Sequence, residues 1–147
     1  MNGLWGTYTS ALDSKGRINI PVKVRNNLIP DDKNTFMLIR GKEGKYIVMR
    51  PLTRWEEYMK SVEQKLGNGK KYEIFSRHLM KDGSLQILDK QGRINMTKKL
   101  IDYAELEGEV QIHTYKDRLE IWMEENYEEF LNSTLSEAEK ISDEHDL

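Results

Sequence analysis

The same eight-residue phrase occurs twice in this chain. Asp13-Ser14-Lys15-Gly16-Arg17-Ile18-Asn19-Ile20 recurs 76 residues later as Asp89-Lys90-Gln91-Gly92-Arg93-Ile94-Asn95-Met96, keeping Asp, Gly, Arg, Ile and Asn in place. A second echo follows in the same order: Trp55-Glu56-Glu57-Tyr58-Met59 returns as Tyr127-Glu128-Glu129-Phe130-Leu131, now offset by 72. The change of offset is what a few residues lost from a loop produce between related units. A duplicated unit limits the fold severely, because each copy must form the same elements and both must find a common core. The length of 147 residues suits this. A chain of about 150 residues buries roughly 68–70% of its unfolded surface and needs no staples.

Pattern gives each unit the same order of elements. Tyr8–Leu12 reads as a strand, turns at Asp13–Gly16 and resumes as Arg17–Ile20. The copy runs Leu85–Leu88, Asp89–Gly92 and Arg93–Met96, with Leu85, Ile87, Ile94 and Met96 at period two. A short helix follows, opened by Pro21 in one unit and by Thr97, a capping residue, in the other. Next come hairpins, Phe36–Arg40 with Tyr46–Arg50 and Val110–Thr114 with Arg118–Trp122. Each unit closes with an amphipathic helix. Thr53-Arg54-Trp55-Glu56 has the form of a capping box, with Trp55, Tyr58, Met59 and Val62 on one face. In the copy Tyr127, Phe130 and Leu131 take that face. The expected organisation is a first repeat over residues 1–66, a connecting loop and helix over 67–81, a second repeat over 82–131 and an acidic tail over 132–147. Beyond Leu135 the tail reads as frayed helix or disorder. Trp5, Trp55 and Trp122 read as core or interface residues, with Trp5 the one expected between subunits.

Charge is unevenly spread. Residues 1–75 carry 14 Lys/Arg against 8 Asp/Glu, while residues 124–147 carry 9 acids and only Lys140. A basic body with an acidic end is compatible with a polyanionic partner, and equally with a solvated charged surface. With no Cys, thiolate metal sites and disulfides are excluded and a reducing compartment is suited. No apolar run approaches the roughly 20 residues of a membrane span, and the first residues lack a signal-peptide layout. The expectation is a soluble, cytoplasmic protein with no membrane partner.

The repeated turn admits two readings. Asp at its start can accept backbone N–H bonds across the turn, and Gly supplies the positive φ that closes it. Asp13, Gly16, Asp89 and Gly92 are therefore turn-structuring residues. The arginine after each turn can pair with its own Asp in a self-contained hairpin. Alternatively, Arg17 and Arg93 can fork to guanine in the major groove while Lys15 and Lys90 meet phosphates.

At these residues the sequence resembles the MraZ family, bacterial members of the AbrB-like swapped-hairpin regulators. The resemblance runs from about Leu4 to Leu131 and is most specific at Leu12-Asp13-Ser14-Lys15-Gly16-Arg17-Ile18-Asn19-Ile20-Pro21, with Asp89–Arg93 as the second motif. Thr97 departs from the Pro usual after that second motif. The resemblance implies an α+β fold: a swapped-hairpin, double-psi-like small β-barrel built from two tandem repeats, with peripheral helices. It implies a ring-like homo-oligomer and a nucleoid-associated transcription regulator. Such a regulator binds direct repeats in double-stranded DNA upstream of its own gene and of the division and cell-wall cluster. DNA binding would centre on Arg17 and Arg93.

An enzyme is not expected. His78, His113 and His145 are scattered, and no phosphate loop or nucleophile elbow is present. Neither a cofactor nor a metal is expected. The other class kept open is an antitoxin-like or other protein-interaction module of the same fold.

Overall fold

The computed structural model describes residues 6–147, so Trp5 lies outside the described residues. The first copy contributes strands β1 (Gly6–Ala11) and β2 (Arg17–Asn19), helix α1 (Val22–Arg25), strands β3 (Thr35–Arg40) and β4 (Tyr46–Pro51), and helix α2 (Leu52–Leu66). Helix α3 (Lys70–Leu79) connects it to the second copy. There the order repeats as β5 (Ser84–Ile87), β6 (Arg93–Asn95), α4 (Lys98–Ala104), β7 (Glu109–Tyr115), β8 (Arg118–Trp122) and α5 (Glu124–Glu144). The chain is a mixed α+β protein.

The two hairpins join edge to edge, β4 pairing antiparallel with β8 so that Ile47 lies opposite Ile121. Each copy then gives its first strand to the other's hairpin. β1 pairs with β7, from Gly6 opposite Thr114 to Ala11 opposite Glu109, and β5 pairs with β3. The resulting sheet has the order β1-β7-β8-β4-β3-β5, with open edges at β1 and β5. A separate two-stranded ribbon consists of β2 and β6. The motif turns therefore do not close local hairpins: the strand before each turn enters the large sheet and the strand after it enters the ribbon. The turn closes on itself, Asp13 N–H donating to Arg17 O and Asp89 N–H to Arg93 O, each at 2.9 Å. Beyond that bond the flanking strands are free to take different partners.

Alternation along β3 and β4 feeds two cores. Phe36, Leu38, Ile47 and Met49 face inward onto Ile18, Ile94, Val24, Leu100, Ile112 and Ile121. The opposite face, Met37, Ile39, Tyr46 and Val48, is covered by Trp55 and Trp122, with Tyr58, Tyr127 and Phe130 at the margin. A strand pair buried on both faces reads as continuous apolar sequence, which is how β3 and β4 read. By contrast Leu85 and Ile87, at period two in the sequence, are 57% and 68% exposed. Their strand is an edge whose outer face is covered by nothing among the described residues.

Two helix ends differ from the sequence reading. α2 begins at Leu52 behind Pro51, so Thr53 is inside the first turn and forms no capping box. The cap comes from Asp32, 21 residues upstream, whose Oδ1 accepts from Thr53 N–H at 2.9 Å and from its hydroxyl at 2.6 Å. Burial acts to raise the pKa of Asp32, but the bonds from Thr53 and Ile29 outweigh it and hold the carboxyl below its ordinary value. In place of a frayed tail, α5 continues as one helix to Glu144, none of it buried. Glu124 and Glu125 sit in its first turn, where the helix dipole favours acids, and Lys140 pairs with Glu144 one turn on.

Candidate nucleic-acid interface

The two motif turns are nearly superimposable in their bonding. Asp13 Oδ1 accepts from the N–H groups of Lys15 and Arg17, both at 2.9 Å, and its Oδ2 accepts from Arg17 Nε at 2.8 Å. Asp89 Oδ1 accepts from Gln91 and Arg93 N–H at 2.9 Å, and its Oδ2 from Arg93 Nε at 2.7 Å. Gly16 and Gly92 donate back to the Asp carbonyls at 3.0 Å from φ of 79° and 78°. A side chain is rare at that φ, which is why glycine stands at both places. The backbone N–H of the motif arginine, then its side chain, lowers the pKa of each Asp below the usual 3.8. Two carboxylates held ionised in separate turns do not form an acid–base pair.

The ribbon brings the two motifs together. Arg17 lies opposite Asn95, Ile18 opposite Ile94 and Asn19 opposite Arg93. Cross-bonds brace both ends, Ile20 N–H to Gly92 O at 2.9 Å and Met96 N–H to Gly16 O at 2.7 Å. Ile18 and Ile94, 1% and 0% exposed, face the core. Strand alternation therefore turns Arg17, Asn19, Arg93 and Asn95 to the other side. Each arginine uses Nε on its own Asp, which fixes the side chain's direction and leaves the two Nη groups without a protein partner among the described residues.

The turns stand at opposite ends of the ribbon, so Lys15 and Lys90, both exposed, flank it rather than lying together. Asn19 and Asn95 were not singled out from the sequence, although their identity in both copies was the available signal. Arg25 lies against the second turn, a placement that only the paired ribbon creates.

Among the described residues no helix is long and apolar enough to cross a membrane, and no group of three or more His, Asp or Glu could hold a metal ion.

Residues 4–75 and 81–146 match the family described as "MraZ protein, putative antitoxin-like". Proteins named "Transcriptional regulator MraZ" are similar along nearly the whole length. The one from Pediococcus pentosaceus is 36% identical over 138 residues, 94% of this chain and 93% of the relative. That from Natranaerobius thermophilus is 32% identical over 139 residues, 95% and 94% of the two chains. A third, from Halothermothrix orenii, is 34% identical over 137 residues, 93% and 92%.

Proposed function

The chain belongs to the MraZ family, and from that premise we propose that it is a sequence-specific DNA-binding transcription regulator, not an enzyme. Its reading head is the β2–β6 ribbon. The reading rests on one observation: two arginines 76 residues apart in sequence emerge from the same face of one ribbon, each steered by its own Asp. Arg93 lies opposite Asn19, two residues from Arg17, so the arginines are about 7 Å apart along the strand direction. That is about two base steps of 3.4 Å. A two-stranded ribbon fits the major groove, where Arg forks to guanine and Asn to adenine. Arg17 and Arg93 would read bases, Lys15 and Lys90 would hold phosphates, and Asp13, Gly16, Asp89 and Gly92 would keep the turns in shape.

The same proposal includes the finer properties that the family resemblance implies. The targets are direct repeats in double-stranded DNA upstream of the chain's own gene and of the division and cell-wall cluster, bound in the cytoplasm at the nucleoid. The exchange of β1 and β5 between hairpins supports a swapped-hairpin core assembled from repeats at 1–66 and 82–131, with 67–81 connecting them and 132–147 as the tail. The open edges support head-to-tail assembly into a ring. β5 offers exposed Leu85 and Ile87 at one end of the sheet, and β1 presents an edge of different chemistry, Thr7, Thr9 and Ala11, at the other. Two unlike edges at opposite ends suit a heterologous contact that closes by rotation. Several tethered ribbons then act at high effective concentration on repeated sites.

Fluorescence anisotropy against DNA from upstream of the gene, with scrambled DNA as control, tests this. Arg17→Ala and Arg93→Ala should each lose about 1–3 kcal/mol per forked contact, multiplied across a ring. Equal, weak binding to both DNAs by the unaltered protein would sink the operator reading. A small protein captured stoichiometrically instead would favour the antitoxin-like alternative.

A further inference from the structure

The two motif turns bond alike but do not have the same neighbour above their glycine. A Cβ built on Gly92 would meet Arg25 at 2.5 Å from Cζ and 2.7 Å from Nη1, so the Arg25 guanidinium lies directly on this turn. The corresponding residue of the second copy, 76 positions on, is Ile101, and its Cδ1 lies 3.3 Å from a Cβ built on Gly16. One turn is thus backed by a guanidinium and the other by a hydrocarbon. Arg25 Nε donates to Ile20 O at 2.9 Å, which anchors the group, while no acid pairs with it among the described residues. A half-buried guanidinium with one anchored nitrogen and no counter-charge is poised for an anion.

We propose that Arg25 grips the DNA phosphate backbone beside the second motif, giving the ribbon one end with cations unpaired by acid among the described residues (Lys90, Lys23, Arg25, beside Arg93) and one weaker end, where Lys98 and Lys99 next to Arg17 and Lys15 are already paired with Asp102 and Asp82. The inference rests on the ribbon being the DNA-reading element. Position favours phosphate over base for this residue. Arg25 belongs to α1, outside both ribbon strands, and its Nε is tied to Ile20 O beside the second turn, whereas the base-reading arginines project from the ribbon's outward face. Unequal ends have a further consequence: a symmetric ribbon would accept DNA in either direction, whereas this one favours a single polarity.

The test is the salt dependence of binding, measured by anisotropy with the full chain on upstream and scrambled duplexes. Arg25→Ile, which copies the residue of the other turn, should weaken both duplexes by the same factor. It should also flatten the plot of log K against log salt by about 0.9 for each engaged subunit. Arg25→Lys keeps the charge and should keep the slope, which separates a phosphate contact from a guanidinium that only plugs the turn. Ile101→Arg should steepen the slope by a similar amount. If Arg25→Lys flattened the slope as Arg25→Ile does, or if Arg25→Ile left slope and affinity unchanged while Arg17→Ala and Arg93→Ala abolished preference, the Arg25 assignment would be overturned. If Arg17→Ala and Arg93→Ala had no effect on preference, the ribbon reading itself would fall, and the inference with it.

Discussion

The two copies of the repeat build the same hairpin but finish it differently. In the first, β3 and β4 are buried on both faces nearly throughout, and α2 lies across them with Trp55 and Val62 in the interior. In the second, β7 alternates, with Val110, Ile112 and Thr114 buried and Gln111 and His113 only partly covered. Its helix α5 touches the sheet through Tyr127 and Phe130 and buries no residue. The difference is that α3 follows α2 and packs against it, whereas α5 runs on past its hairpin as an acidic rod. The two copies supply similar parts, but the closing helix of the first buries Trp55 and Val62 while that of the second buries nothing and touches the sheet only at its margin.

If that contrast is sound, the helix anchors should differ most. Trp55, 9% exposed among Met37, Ile39 and Val48, should cost roughly 3–5 kcal/mol as Trp55→Ala. Tyr127, only edge-on to Trp122 at 5.2 Å and stacked on His113 at 4.0 Å, should cost about 1 kcal/mol as Tyr127→Ala. Urea midpoints of the two variants decide this, and equal losses would break the comparison.

The cap of α2 is the next lever. Asp32→Ala strips acceptors from Thr53 and Ile29 at a site 3% exposed, leaving donors unpaired at a cost of about 2 kcal/mol. α5 has no side-chain cap to lose, so of the two closing helices only α2 responds this way. Thermal melts should show the loss, with Asp32→Asn retaining part of the stability.

How far the sequence carried this picture depended on the range of the interactions. Turns, hairpins and the Asp–Arg bond inside each motif were legible, because Asp13 to Arg17 and Asp89 to Arg93 bond within five residues. The exchange of β1 and β5 was not legible in the residue pattern, since either strand's alternation would suit either hairpin; only the family resemblance implied a swapped hairpin. Leu85 and Ile87 look like core by period, and only the sheet order makes them an edge. The Thr53 capping box failed because a carboxylate 21 residues away reached the same N–H. Arg25 against Gly92 is a contact between copies, invisible in either copy alone.

Protonation offers a gentler probe of the second half. Burial lowers the His113 pKa below its ordinary 6.5, against the pull of Glu120. Between the folded value and 6.5 the unfolded chain binds more protons, so this contribution is fully present above pH 6.5 and is lost as pH falls through the folded value. Stability should therefore decline modestly between pH 7.5 and 5.5, as read from urea midpoints. His113→Gln, which keeps a polar group beside Gln111 and Thr7, should flatten that decline.

The smallest effect on folding should come from the rod itself. Residues 133–147 hold five acids and Lys140, so ending the chain at Asn132 changes the formal net charge from -2 to +2. Nothing in that stretch is buried, and surface changes away from special features stay within about 0.5 kcal/mol. The urea midpoint should therefore hold. Electrostatics predicts something else for DNA: with the acidic rod gone, long-range repulsion of phosphates weakens and binding to scrambled duplex should tighten, most at low salt. Preference for upstream DNA should then narrow without any change in the ribbon. If scrambled DNA bound as before at low salt, the rod's charge would be too distant from the ribbon to matter, and its role would have to lie in contacts with other molecules.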